Sequence, residues 1–256
     1  IGGGAGDFAG RFAQLAAGLT LLLGMGYFIF PLRALSHLKL EGVERHFEAY
    51  GEGRSSFAGF LIAVGALVLM MPGAIAVLLL GACWLTAFVG KLLHVLIDGS
   101  RRLSVIIRLL IALCLAGFLL IGIEIPDFNL VIPAMLTDLL PFISAIITVL
   151  FGLMCFLFPT TSLHLMRLRP KDTHPAARGE ARGTLAGFYL GIGGAVLLIG
   201  GFVPTLMLGL AWMMTAFGRI IAMLSDKSNN GFNWLSLLLE LVLAGLPLSV
   251  LLGLFG

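Results

Sequence analysis

Eight long apolar runs constrain the fold of this chain more than any other feature of its sequence. Each is close to the ~20 residues that a helix needs to cross a bilayer. The runs are Phe12–Phe30, Phe57–Met71, Ala74–Ile97, Leu103–Ile123, Leu139–Phe158, Thr184–Gly201, Pro204–Leu224 and Phe232–Leu254. The chain is 59% hydrophobic and 11% charged, whereas a soluble domain carries about 25% charged residues. The sequence therefore predicts an all-α integral membrane protein with about eight transmembrane helices.

Polar segments between the runs indicate where the chain leaves the membrane. Pro31 and Pro159 end the first and fifth runs, because proline cannot continue the helical hydrogen-bond ladder. The segment Arg33–Arg54 mixes charges with leucines, which fits either a short amphipathic helix at the membrane surface or a solvated loop. Thr160–Ala181 forms a basic loop, and the less regular Glu124–Asp138 links the halves. The second run is the shortest, so we expect it to begin earlier or to tilt less.

Polar residues and glycines recur along the chain at one fixed offset of 128 positions. Apolar letters match by chance between any two membrane helices, whereas these residue types do not. The offset predicts a tandem duplication, with a degraded first repeat at 1–128 and a second repeat at 129–256. Each repeat has four runs, an even number, so the repeats are predicted to be parallel rather than inverted. The matches include Pro31 with Pro159, Glu52 with Glu180, Arg54 with Arg182, Trp84 with Trp212, Gly90 with Gly218, and Asp98 with Asp226.

Basic residues concentrate in the loops that follow the odd-numbered runs. By the positive-inside rule that face is cytoplasmic, so both termini and the central linker are predicted to lie outside. We do not expect a nucleic-acid partner, because the net charge of +3 comes from residues beside apolar runs. The basic face receives Arg33, Lys39, Arg45, Arg54, Arg101, Arg102, Arg167, Arg169, Lys171, Arg178, Arg182 and Lys227, and the other face Arg11 with Asp7, Glu124, Asp127 and Asp138.

Two charges of opposite sign lie at similar depth in the seventh and eighth runs. Arg219 lies about two turns before the end of the seventh run, and Glu240 about two turns into the eighth. Charges inside a bilayer are costly without a partner, so we predict that Arg219 pairs with Glu240. The pair is interpreted first as a structural clamp between helices, and a proton relay or ligand site is the alternative.

The first half lacks this pair. Lys91 stands in place of Arg219, and Ala112 stands in place of Glu240. Lys91 and Arg108 are predicted to extend their charged ends to the cytoplasmic interface. The alternative is an anion site for a lipid head group, formed with the basic residues Arg54 and Arg182, and catalysis on a substrate is a third interpretation.

Other polar residues are interpreted as structural. Asp98 and Asp226 end helices in Asp-x-Ser turns and are expected to organise those turns, with Arg102 or Arg182 as possible partners. Cys83, Cys114 and Cys155 lie within apolar runs without CxxC spacing, as small packed hydrophobes do. The five histidines show no metal-binding spacing. We expect no catalytic residue, no metal and no cofactor.

The second half resembles a known family. The residues on which this resemblance rests are the segment Ala177-Arg178-Gly179-Glu180-Ala181-Arg182-Gly183, then Ala216-Phe217-Gly218-Arg219, Asp226 and Leu239-Glu240-Leu241. This pattern resembles the small four-helix bacterial membrane proteins catalogued as domain of unknown function 4345, over roughly Leu139 to Leu252. The resemblance implies a four-helix membrane unit and a bacterial inner membrane, and it implies no activity. The first half departs from the pattern at Lys91 and Ala112.

These features predict a non-catalytic membrane protein. Small-residue helix faces suit close packing in membranes, so the first hypothesis is an accessory or structural subunit that packs against other membrane proteins. The alternative hypothesis is a protein that binds or transports a lipid or small hydrophobic ligand, with its polar cluster near the cytoplasmic leaflet. An enzyme ranks third. Membrane lipids are expected partners in every case.

Overall fold

Eight helices that are long and apolar enough to cross a membrane make up most of the part of the chain described by the computed structural model. This confirms the predicted helical class and number of spans. The structure describes residues 3–43, 46–99, 102–121, 123, 126, 128–171 and 176–254. Its elements are α1 (Gly3–Ile29), α2 (Pro31–His37), β1 (Leu40–Gly42), α3 (His46–Glu52), α4 (Gly59–Met70), α5 (Ala74–Ile97), α6 (Leu103–Leu120), α7 (Leu136–Leu157), α8 (Pro159–Leu165), β2 (Leu168–Pro170), α9 (Ala176–Glu180), α10 (Ala186–Leu198), α11 (Phe202–Ser225) and α12 (Gly231–Leu251).

The second and sixth spans begin earlier than the apolar runs predicted. Their helices cover Ala49–Met70 and Ala177–Leu198, because one π-helical turn joins α3 to α4 and another joins α9 to α10. The first π-turn is Gly53–Phe57 and the second is Ala181–Leu185. Each π-turn carries an arginine that the hydropathy pattern had placed outside the membrane. The helices can continue through these charged residues because the other half of the chain supplies partners for them.

The polar segment after α1 is neither one amphipathic helix nor a plain loop. It continues as the short helix α2, then as β1, which pairs antiparallel with β2 in the register Leu40↔Pro170 and Gly42↔Leu168. Lys39 and Arg167 have positive φ values of 59° and 53°, in the left-handed region, just before each strand. The prediction of an all-α chain did not include this two-stranded sheet. The sheet joins the basic segments of the two halves.

The spanning helices pack in pairs within each half, and two of these pairs meet partners from the other half at α4–α11 and α5–α10. Helix α4 lies between α1 and α11, and α10 lies between α7 and α5, whereas the consecutive α4 and α5 barely touch. The aromatic core forms at this crossing. The ring of Phe60 lies 4.6 Å from that of Tyr189 and 5.2 Å from that of Trp212. Helices α6 and α12 lie at the periphery and expose most of their apolar side chains.

Two glycines allow the halves to approach closely. A Cβ at Gly90 in α5 would clash with the carbonyl oxygen of Arg182 in the second π-turn, and a Cβ at Gly218 in α11 would clash with that of Arg54 in the first. Glycine is required at both positions because backbone meets backbone there. This contact places Lys91 and Arg219, the residues that follow the two glycines, beside the opposite π-turn.

Candidate functional site

Arg219 is the centre of a buried polar cluster at the junction of α3, α11 and α12. Its Nε donates to Glu240 Oε1 at 2.8 Å, and its Nη1 donates to Glu52 Oε1 at 2.9 Å and to Asn233 Oδ1 at 2.7 Å. Ser56 donates to the other oxygen of Glu52. We call these five residues the Arg219 cluster. The side chain of Arg219 is 2% exposed, so the cluster lies away from solvent.

Lys91 is the centre of a second cluster, where α5 meets α9 and the second π-turn. Its Nζ donates to Glu180 Oε1 at 2.7 Å. The Arg108 guanidinium from α6 lies 3.4 Å from the same oxygen, and Thr184 donates to Glu180 Oε2 at 2.8 Å. We call these four residues the Lys91 cluster. Arg108 is its most accessible member, with 28% of its side chain exposed.

Two Arg–Asp pairs join the halves. Arg54 donates to Asp226 at 2.7 Å and also to the carbonyl of Phe28. Arg182 donates to Asp98 at 3.0 Å and to the carbonyl of Phe156 at 3.1 Å. Each arginine thus binds a helix-ending aspartate of the other half and a free carbonyl near the end of a helix in its own half. Charge-assisted hydrogen bonds of this kind are about twice as strong as neutral ones.

The contacts of one half recur in the other at the same offset of 128 positions. Trp84 donates to Thr20 at 3.0 Å, and Trp212 donates to Thr148 at 2.8 Å. The two Arg–Asp pairs follow the same rule, and so do the hydroxyl contacts of the two cluster glutamates. The halves differ where charge is concerned: Glu240 is present in one cluster only, and Arg108 in the other.

An open groove runs between α1 and α6 and ends at the Lys91 cluster. Its volume is about 930 Å³. Its walls are apolar side chains that are exposed on the protein surface, among them Leu19, Leu22 and Ile111. Its polar end is formed by Arg33, His37, Lys91, Arg108 and Glu180. The groove therefore has a long apolar part and a single charged end.

The contact line between α7 and α12, which corresponds to the line between α1 and α6, is here called a seam. The α7–α12 seam is joined by a hydrogen bond that the α1–α6 seam lacks. Ser144 of α7 donates to the carbonyl of Leu243 in α12 at 2.7 Å, whereas Ala16, its equivalent in α1, has no hydroxyl group. Met154 occupies the position equivalent to Gly26, which lines the groove. The equivalent of Arg108 is Ser236. The two seams are therefore built differently, although their helices correspond.

The structure brings together some of the residues predicted as sites. Arg219 and Glu240 are in contact, and so are Lys91 and Arg108 through Glu180. Arg54 and Arg182 are each bound in an Arg–Asp pair, and neither lines the groove that ends at Lys91 and Arg108. Asp98 and Asp226 end α5 and α11 and are the partners in those pairs.

Sequence reasoning missed the partners that the halves supply to each other. Glu52 and Glu180 were taken as loop residues before the spans, yet both are buried and bind cations of the opposite half. One sequence signal for these buried glutamates was available. Each is followed four residues later by a hydroxyl residue, Ser56 or Thr184, and the two motifs are 128 positions apart. The predictions for Arg45, Arg101, Glu124 and Asp127, and for Ser100 of the first Asp-x-Ser turn, lie outside the described residues.

The comparisons with known proteins cover the second half. Residues 136–251 match the family described as "Domain of unknown function (DUF4345)". The matched segment begins at the first residue of α7 and ends at the last residue of α12, so it contains one set of four spanning helices. This part of the chain is similar to that family, as the resemblance over Leu139–Leu252 predicted. No curated protein and no solved structure matches the chain.

Proposed function

We propose that the chain binds a membrane amphiphile with an anionic head group, in the groove between α1 and α6. The observation that carries this proposal is the form of the groove: one long apolar wall ends at a cluster with surplus positive charge. Three cations, Arg33, Lys91 and Arg108, face one carboxylate, Glu180. An anionic head group offsets part of that surplus, and the acyl chain covers the exposed leucines.

The depth of the charged end fits a lipid head group near one leaflet. Lys91 lies six residues before the end of α5, and Arg108 lies five residues after the start of α6. At a rise of about 1.5 Å per residue, both side chains start roughly 8–9 Å inside the helix ends. The long side chain of Arg108 bridges that distance to the interface, whereas Lys91 is held in the interior by Glu180. The part-exposed Arg108 and the exposed Arg33 are the cations that a head group reaches from the membrane surface.

Binding is tested with the full chain in nanodiscs of phosphatidylcholine and phosphatidylglycerol, followed by counting of retained lipids by native mass spectrometry. Gly26→Met narrows the groove with the residue found in the other seam, and we expect it to lower lipid retention. Gly18→Met is the matched control, because it lies on the same helix and a Cβ at either position meets nothing within 4 Å. Equal retention in both variants would contradict the proposal.

Head-group recognition is tested separately. Arg108→Gln removes a charge-assisted contact worth about 1.5–3 kcal/mol, so it should lower the preference for phosphatidylglycerol over phosphatidylcholine about tenfold or more. Excess inorganic phosphate should leave retention unchanged, since a free anion does not occupy the apolar part of the groove. Displacement by phosphate would indicate a free-anion site instead.

Association with other membrane proteins is the second candidate function. Gly10, Gly18, Gly117 and Gly245 lie on α1, α6 and α12 with no neighbour within 4 Å of an added Cβ, which leaves room for a partner helix. As an accessory or structural subunit, the chain would co-purify in mild detergent with partners in a fixed ratio. Recovery of a lone monomer that retains lipid would favour the lipid-binding function. Neither function requires catalysis, a metal or a cofactor.

The proposed architecture is a tandem duplication of one four-helix unit, with repeats 1–128 and 129–256 in parallel orientation. Its support is the recurrence of the π-turns, strands and Trp–Thr hydrogen bonds at one offset. The proposed location is a bacterial inner membrane, with the basic loops and β1–β2 on the cytoplasmic side and both termini outside. Labelling of cysteines placed at Lys227 and at the outer position Asp138 in intact cells tests this orientation.

A further inference from the structure

The Arg219 cluster has more negative than positive groups. One guanidinium faces two carboxylates, with Arg219 Nη2 at 2.7 Å from Glu240 Oε1 and Nη1 at 2.9 Å from Glu52 Oε1. The three side chains are 2%, 5% and 2% exposed in the order Arg219, Glu240 and Glu52. If both carboxylates were ionised, the cluster would hold an uncompensated negative charge inside the membrane-spanning core.

A buried charge without a counter-charge is so costly that the group changes its protonation state instead. Two carboxylates that share one buried site repel each other, so one cation is not enough to balance both as anions. Asn233 and Ser56 are neutral, so they do not remove the surplus. The cluster is neutral when it holds one proton in addition to its ion pair.

The hydrogen bonds indicate where that proton lies. Glu52 uses both oxygens, one with Arg219 and one with Ser56. Glu240 uses Oε1 with Arg219, while its Oε2 is buried and has no hydrogen-bond partner. We propose that Glu52 and Glu240 form a proton-binding site, which holds one exchangeable proton on Glu240 Oε2 at neutral pH.

A proton fits this site better than a metal ion does. None of the cavities described for the structure is lined by Glu240, and a proton needs no cavity. The described residues contain no group of three or more His, Cys, Asp or Glu side chains that could hold a metal ion.

The charged groups that face Glu240 are few. Arg219 comes from α11, Glu52 comes from α3, and α10 contributes the neutral Tyr189 near the pair. Helix α7, which packs against α12, has Asp138 as its charged residue, at the far end of the helix. Among the side chains that the structure describes, no other charged group of these helices compensates the surplus.

The Lys91 cluster shows the opposite imbalance, with two cations and one carboxylate. Ala112 stands at the position equivalent to Glu240, so this cluster has no second acid. The proposed lipid and the proposed proton thus belong to different clusters, and each neutralises the surplus of its own cluster. The proton-binding site does not depend on lipid binding.

The site is tested by infrared difference spectroscopy of the full chain in phosphatidylcholine nanodiscs at neutral pH. The wild-type protein should show the C=O stretch of a buried protonated carboxyl group, with a downshift after exchange into D₂O. Glu240→Gln should abolish this band and still yield folded protein, since a neutral amide replaces a neutral acid of the same shape. Glu52→Gln should also abolish it, because Glu240 then ionises as the sole partner of Arg219.

Glu180→Gln is the matched control, because Glu180 is the sole acid of its cluster. It should leave the band intact, and its folded yield should fall below that of Glu240→Gln. Three results would overturn the proposal: no protonated-carboxyl band in the wild type, a band that persists in Glu240→Gln, or failure of Glu240→Gln to fold while Glu180→Gln folds. A band that appears only after Na⁺ is replaced by choline would overturn the proton assignment in favour of a sodium ion.

Discussion

Replacement of Arg219 by glutamine should be among the most destabilising single changes in this chain. The guanidinium makes hydrogen bonds of 2.7–2.9 Å to Glu240, Glu52 and Asn233. Its loss removes the cation that faces the buried carboxyl groups of Glu52 and Glu240. Removal of one partner of a buried ion pair costs about 3–5 kcal/mol, and we expect Arg219→Gln to fall in that range.

Lysine at this position should cost less than glutamine, because the equivalent residue of the first half, Lys91, already pairs with a buried glutamate. A lysine ammonium keeps the charge but lacks the planar fork that reaches several acceptors at once. We expect Arg219→Lys to lose about 1.5–3 kcal/mol, the range for a hydrogen bond to a charged group.

The assay is equilibrium unfolding of the purified protein in mixed detergent micelles, followed by tryptophan fluorescence. The three tryptophans include Trp212 in α11, the helix that carries Arg219, and Trp234 in α12, the helix that carries Glu240, so the signal covers both helices. The double variant Arg219→Gln/Glu52→Gln should recover part of the loss, because it removes the ionised carboxylate that the single variant leaves without a cation. Arg219→Gln within about 1 kcal/mol of wild type would refute the argument that these charges depend on each other.

Three further changes compare contacts between the halves with a contact inside the second half. Gly90→Leu should reduce the folded yield sharply, since its side chain would enter the backbone of the second π-turn, whereas Gly117→Leu on α6 should be tolerated. Trp212→Phe should cost about 1 kcal/mol in the same unfolding assay, through loss of the hydrogen bond to Thr148. Arg169→Ala removes a half-exposed ion pair of β2, with a side chain 52% exposed, and should change stability by less than about 1 kcal/mol.

The sequence predicted the spans well because apolar length alone decides what crosses a bilayer. Local hydropathy could not predict the starts of α3 and α9, since it treats Glu52 and Glu180 as residues that must stay in water. Their burial depends on cations from the opposite half, a non-local fact. The strand pair β1–β2 was missed for the same reason, because three residues acquire strand structure only through a partner far along the chain.

The candidate site was predictable only in part. Arg219 and Glu240 lie one helical hairpin apart, so depth along two neighbouring helices was enough to pair them. Lys91 was expected to lack an acid, because its acid comes from the other half. The groove between α1 and α6 had no sequence signature, since it arises from Gly26 and from the absence of a Ser144-like hydrogen bond in the first seam.

The most direct test of lipid binding is an experimental structure of the wild-type chain in nanodiscs that contain phosphatidylglycerol. We predict elongated density along the seam between α1 and α6, with its head group at Arg108 and Lys91, and no such density between α7 and α12. Density of equal strength in both seams, or a groove between α1 and α6 closed by protein side chains, would contradict the account.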